Sequence, residues 1–219
     1  MPAPETTRTL TAKGRQTRAA IEQAARKLFA ERGFHGTTLA DITSAAGKSA
    51  AVFYRYFADK EDLLAALAES FLHDIVTPSG LSVELPESPP QAGGAPTDAD
   101  DFFTAVVTGY WNMFKQNIGI MIAMAQLAAT QPRFAAVQNE FRRFGMDIVA
   151  ASVLRAQEHG YAADLNPEHI AAALALLFEN FTTVFVGPSM LGLEISDEDA
   201  IATLSTVWKK TLYGSVSRS

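Results

Sequence analysis

The run Thr38-Leu-Ala-Asp-Ile-Thr-Ser-Ala-Ala-Gly47-Lys-Ser-Ala-Ala-Val-Phe-Tyr-Arg-Tyr-Phe57 decides how this 219-residue chain is read. Thr38 and Asp41 stand at capping-box spacing, the hydroxyl on the amide three residues on and the carboxylate reaching back. A short helix is expected from there to about Ala46, with Leu39 and Ile42 on its apolar side. Gly47 breaks it, and Ser49 caps a second short helix through about Tyr56. Two short helices joined by a tight glycine turn make a helix-turn-helix. In that arrangement the second helix enters a major groove and the first crosses the backbone. Free amides and the positive end of a helix dipole suit it to a phosphate.

Outward from this core, an N-terminal helix is expected over about 15–32. Ile21, Ala25, Leu28 and Phe29 fall on one stripe, and Gly33 is placed to end it. Residues 1–14 read as a flexible basic arm, with Arg8, Lys13, Arg15 and Arg18 set to reach a groove. Downstream, Asp59-Lys-Glu-Asp62 opens a longer helix carrying Leu63, Leu64, Leu67, Phe71 and Leu72. Five prolines and three glycines interrupt residues 78–98, which read as a loop joining two domains. Helical patterns return at about 99–117, 119–129, 132–159, 167–187 and 197–213. Asn166-Pro167 and Ser196-Asp-Glu-Asp199 supply two of the starts, and Gly160 ends the long helix. No stretch alternates as a strand does. The expectation is an all-α chain. A three-helix DNA-binding head over 1–62 is followed by a helical bundle over 63–219 that binds ligand and dimerises.

Charge divides the same way. The chain carries a formal -6 overall, but residues 1–65 net +3 and the remainder -9. A mildly basic head on an acidic body points to a polyanion partner for the head alone. Hydrophobic residues make up 48%, enough for a buried core, and the absence of cysteine removes disulfides and thiolate chemistry. The polar Met1–Ala12 segment has no signal-peptide core, and a cytoplasmic location is expected. The apolar runs Ile118–Ala129 and Ile170–Phe178 are each too short to span a bilayer, so no membrane partner is expected. The histidines, His35, His73, His159 and His169, form no His-Glu-x-x-His pair. No nucleophile elbow, phosphate loop or dinucleotide fingerprint is present either. No enzyme, metal site or cofactor is expected.

The run Gly33-Phe-His-Gly-Thr-Thr-Leu-Ala-Asp-Ile-Thr-Ser-Ala-Ala-Gly47, then Val52-Phe-Tyr-Arg-Tyr-Phe57 and Asp59-Lys-Glu-Asp-Leu-Leu64, resembles the TetR-type repressor family. The resemblance covers about residues 15–72. It implies that Thr38 caps the second helix and touches phosphate, that Ser49 starts the recognition helix, and that Tyr54, paired with Tyr56, meets phosphate. It also implies that Lys60 grips phosphate, and that Phe34, Leu39, Ile42, Phe53 and Phe57 fill the head's core. Lys48, Ala50, Ala51 and Val52 depart from the usual family residues. Alanine methyls suit thymine methyl contact and not hydrogen-bonded base reading. The polar DNA contacts are therefore expected from Lys48, Ser49, Tyr54, Arg55 and Lys60.

In similar proteins the last two helices pair with those of a second copy, which implies a homodimer through about 167–187 and 197–213. A small effector, apolar or aromatic, is expected among the central helices. Tyr110, Trp111, Phe114, Met121, Met124, Phe141, Phe144, Phe178 and Phe181 are its candidate walls, with Phe102 and Phe103 beside them; Gln126, Asn180 and Thr183 are its polar groups. Ligand would release the protein from operator DNA. Two other readings stay open from residues alone: a ligand-responsive activator, and a helical adaptor that binds protein and not DNA.

Overall fold

The computed structural model describes residues 10–76, 98–186 and 192–214. Arg8 and nearly all of the loop expected at 78–98 lie outside them. Among the described residues there are nine helices and no strand. They are α1 (Ala12–Arg32), α2 (Leu39–Ala45), α3 (Ala50–Phe53), α4 (Lys60–Val76), α5 (Asp98–Gln116), α6 (Ile118–Ala128), α7 (Pro132–Glu158), α8 (Pro167–Val186) and α9 (Asp197–Tyr213).

Local chemistry sets most of the boundaries. Thr38 and Asp41 close the full capping box at α2, and Ser49 and Ser196 accept from amides three residues on to start α3 and α9. Gly33, Gly47 and Gly160 have φ of 71°, 62° and 80°. That left-handed backbone costs a side-chain-bearing residue more than glycine. One start differs from the sequence reading. Thr11 caps α1 through the Gly14 amide, so the helix begins at Ala12. Lys13 is therefore helical, as Arg15 and Arg18 are, and not part of an extended arm. Arg18 pairs with Glu22 at 2.7 Å and lies over the Phe57 ring.

Burial follows the helical stripes into two cores. The first joins Ile21, Phe29, Phe34, Ile42, Phe53 and Phe57 of the head to Leu63, Leu67 and Phe71 of α4, then to Ile120 and Met124 of α6 and Phe134 and Phe141 of α7. The second joins Phe103, Val107 and Trp111 of α5 to Val149 and Val153 of α7, Leu174 and Phe178 of α8, and Leu204 and Trp208 of α9. Each buried aromatic or aliphatic side chain contributes about 1.5–3 kcal/mol. Helices α5 and α7 run through both cores.

The head is seated on the body at one close crossing. A Cβ placed on Gly119 would lie 2.5 Å from the backbone nitrogen of Ala30, so α6 meets α1 backbone to backbone. Beside it, Arg26 donates to Asn117 Oδ1 at 2.9 Å. A second tie runs from α4: Glu61 accepts from Gln131 at 3.0 Å and from Arg133 at 3.3 Å.

Helix α8 is longer than its uninterrupted apolar run. At 20 residues it is long and apolar enough, by length and composition alone, to cross a membrane, although its uninterrupted apolar run, Ile170–Phe178, is not. Beyond Phe178 the helix continues through Phe181, Val184, Phe185 and Val186, with polar residues between them. Glu179 is held by Arg142 and Gln138, and Thr183 bonds its own backbone. Leu176 and Leu177 on the same helix are 45% and 42% exposed, and Leu154 of α7 is 53% exposed.

Candidate nucleic-acid interface and core cavity

The bend at Gly47 turns α3 outward. Phe53 is its buried anchor, and it packs on Phe57 with ring centroids 5.6 Å apart. The residues between the bend and that anchor face solvent: Ser49, Ala50, Ala51, Tyr54 and Arg55 are exposed, and Lys48 is half-buried. Tyr54, at 59% exposure, leans edge-on against Phe53 with its hydroxyl free to meet a ligand. Thr38, at the start of α2, is exposed on the neighbouring helix. These residues form one surface carrying hydroxyls, cations and methyl groups.

Two residues grouped with them by sequence are placed differently. Tyr56 is half-buried against the first core, and its hydroxyl lies beside Gly14 at the start of α1. Lys60 is turned inward. Its ammonium donates to the carbonyls of Phe34 and Thr37, both at 2.7 Å, and sits 4.2 Å above the Phe34 ring. Burial pulls its pKa below the ordinary lysine value. Two of its three N–H donors are thus engaged within the head, where they fix the turn that leads into Thr38. The side-chain direction of Lys60 has no signature in the sequence. Nor has that of Tyr56, which lies in the turn after α3 ends at Phe53.

The walls of an apolar cavity in the body only partly match the sequence-predicted effector residues. The cavity, of about 70 Å³, lies where the two cores meet and is almost wholly apolar. Tyr110, Phe141, Phe144 and Phe178 line it as expected, joined by Met113, Gly145, Ile148 and Trp208. Phe114, Met121 and Met124 are instead spent on the first core, packed toward the head. Trp111 belongs to the second core and donates its indole N–H to Asp197 at 3.1 Å. Phe102 and Phe103 pack on Trp208. Phe181 stacks between Trp111 and Phe185. Gln126 and Asn180 are exposed away from the cavity. Helical spacing marks an apolar face without saying which core it fills, and these residues fill others.

The polar features of the cavity were not read from the sequence. Glu179 projects into its wall and is gripped bidentately by Arg142, at 2.6 and 2.9 Å, with Gln138 adding a bond at 2.9 Å. A carboxylate and a guanidinium on the otherwise apolar faces of α7 and α8 were the available signal. The Tyr110 phenol faces the same space, and burial raises its pKa far above the ordinary tyrosine value, so it stays a neutral donor. Among the described residues no three metal-binding side chains converge.

An outward second helix on a capped helix-turn-helix, carried by an all-helical body, defines a DNA-binding regulator. Residues 21–67 match the model of the bacterial regulatory proteins, tetR family. The HTH-type transcriptional regulator EthR of Mycobacterium tuberculosis is 25% identical over 213 residues, spanning 96% of this chain and 94% of that protein. The HTH-type transcriptional regulator TtgR of Pseudomonas putida is 44% identical over 59 residues, 27% of this chain and 28% of its own. A TetR transcription regulator from Haloarcula marismortui superposes with a TM-score of 0.66 at 21% identity, covering 90% of this chain and 96% of that one. The chain is thus similar, in its head by sequence and over its length by fold, to TetR-type transcriptional regulators, which are non-enzymatic DNA-binding proteins that usually work as dimers with small-molecule effectors.

Proposed function

We propose that this protein is a dimeric, cytoplasmic repressor that is released from its operator when a small uncharged molecule fills the cavity at the seam of its two cores. The observation that carries the reading is the position of that cavity. One side is Phe141, part of the core that holds the helix-turn-helix; the other is Val107, Phe178 and Trp208, part of the core built on α8 and α9. A ligand lodged there bears on both at once.

In this reading residues 1–62 act as the operator-binding head and 63–219 as the effector and dimer body. Ser49, Ala50 and Ala51 enter the groove, with Lys48 and Arg55 at its edge and Tyr54 and Thr38 on phosphate. Lys60 holds the α2 entry and offers its remaining N–H to the backbone. The exposed Leu176 and Leu177 of α8, with α9, meet their counterparts on a second copy. Two heads then engage half-sites roughly 34–36 Å apart. Ligand shifts α6 and α7, and the ties at Gly119–Ala30 and Glu61–Arg133 pass the shift to α1 and α4. Simultaneous docking fails when the heads change spacing. The effector must favour the released state by its differential affinity, or nothing moves.

The test is fluorescence anisotropy of the full chain on duplexes from the DNA flanking its own gene, with salt varied. Specific binding with a steep salt dependence is expected. Leu176→Asp should give a monomer by sedimentation and abolish tight operator binding. Gly145 borders the cavity and has open space where a side chain would point. Gly145→Leu should therefore leave DNA binding intact and block release. Absence of duplex binding in dilute buffer would end this reading.

A further inference from the structure

Hydroxyls on the helices of this protein ordinarily bond back to their own helix. Thr108 donates to Thr104 O at 2.6 Å, Thr183 to Glu179 O at 2.7 Å, Ser205 to Ile201 O at 2.7 Å and Thr211 to Val207 O at 2.8 Å. Among the described residues two buried hydroxyls do not. The oxygens of Tyr110 and Thr182 are sealed from solvent, and neither has a hydrogen-bond partner within 3.5 Å; the polar group that acts on the Tyr110 phenol from nearby is the Thr182 hydroxyl itself. Thr182 is wholly buried one turn beyond Phe178 on α8, beside the Tyr110 phenol, and stands behind the cavity wall, not in it. Tyr110 itself lines the cavity. Burying a donor without an acceptor is costly, and proteins avoid it unless something else supplies the acceptor.

The rest of the wall narrows what that acceptor is. The remaining charges there, Glu179 and Arg142, neutralise each other in a forked pair, and Gln138 takes up a further lone pair of the carboxylate. A carboxylate ligand would have to pull Arg142 from Glu179. A cationic ligand would have to displace Arg142 to reach Glu179. The other lining side chains, such as Val107, Met113, Ile148 and Trp208, are apolar. An oxygen with two lone pairs and no charge fits two adjacent O–H donors in such a setting.

Resting on the reading of this cavity as the effector site, we propose that the effector is an uncharged carbonyl compound, a ketone or ester on an apolar body. Its oxygen accepts one hydrogen bond from the Tyr110 phenol and one from the Thr182 hydroxyl. The two orphan donors are then the specificity determinants, and the apolar walls, which must part to seat a body larger than the present cavity of about 70 Å³ and to bring the Thr182 hydroxyl into reach, supply most of the affinity.

The experiment measures binding of 2-octanone, octanoate and octyltrimethylammonium to the full chain by calorimetry and tryptophan fluorescence, with Trp208 in the wall as reporter. 2-Octanone should bind at least about tenfold more tightly than either ion. Tyr110→Phe and Thr182→Val should each weaken 2-octanone binding about tenfold. Both variants without ligand should melt at the wild-type temperature or above it, because removing an unsatisfied donor removes a penalty. A lower melting temperature would mean that the hydroxyl serves the fold, and would overturn the assignment. So would tighter binding of an ion, or ketone affinity within twofold of wild type in both variants. Failure of all three probes to bind wild-type protein that still holds operator DNA would instead overturn the cavity as effector site, and this proposal with it.

Discussion

The ammonium of Lys60 donates a 2.7 Å hydrogen bond to the carbonyl of Phe34 and lies 4.2 Å above that same residue's ring. One cation thus ties the start of α4 to the turn between α1 and α2. Lys60→Met keeps the apolar stem and removes the charge. It should cost about 2 kcal/mol in urea unfolding, the scale of a charged hydrogen bond left unmade. Lys60→Arg should not restore it, since a planar fork does not place its donors as an ammonium does. Operator affinity should fall for every duplex sequence alike, since what is lost is placement of Thr38 and backbone contact and not base reading. An unchanged unfolding midpoint in Lys60→Met would show that the inward bonds carry no weight.

The two tyrosines of α3 and its exit should separate cleanly. Tyr54→Phe removes an exposed hydroxyl and should weaken binding of all duplexes by about three- to tenfold, as a single hydrogen bond does. Tyr56→Phe, half-buried beside Gly14, should change affinity less than about twofold. Anisotropy titrations on one operator and one unrelated duplex check both. The reverse ranking would show that the DNA-facing side of this segment had been misassigned.

Much of the head was legible because its signals are local. The Thr38–Asp41 box, the Ser49 cap and the Gly47 bend each depend on residues within four positions, and each took the expected form. The Thr11 cap has a weaker signal, since a glycine stands in the first turn, where its amide donates to the Thr11 hydroxyl. What local signals do not carry is the partner of a face. Trp111, Phe114, Met121 and Met124 have the same spacing and chemistry as true cavity walls, and only the crossing of α5, α6 and α7 decides which core each enters. Trp208, in the last helix, returns to line the cavity from far along the chain. The buried fork of Arg142 on Glu179 likewise joins residues 37 apart.

Gly119 is a glycine of close approach. Gly119→Ala would push a methyl carbon into the backbone of Phe29 and Ala30, and overpacking of this kind costs about 1–3 kcal/mol. Urea unfolding should show that loss. If the crossing carries the signal, the variant should also bind 2-octanone normally while releasing operator less completely. Full release with wild-type efficiency would place the coupling elsewhere, with the Glu61–Arg133 tie the first candidate.

Acid should loosen the join between α5 and α9. Asp197 accepts from Lys115 Nζ and from the Trp111 indole, and these bonds, the lysine's first, hold its carboxyl below the ordinary 3.8. The folded state therefore binds a proton less readily than the unfolded chain. The stabilisation is present above about pH 5 and is lost as pH falls through and below the ordinary value. Asp197→Asn should lower stability at neutral pH and flatten its decline between about pH 5 and pH 3. A decline as steep as wild type would assign the acid sensitivity to other carboxylates.

Every wall of the cavity comes from α5, α7, α8 and α9, and none from α1 to α4. On the proposed reading, what the protein senses and where it sits on a genome are therefore written in different stretches of the chain. Substitutions can retune one without rewriting the other, provided that the seat at Gly119 and Arg26 is kept. A head grafted from a relative onto this body, joined at that seat, should answer the same chemical at a new address.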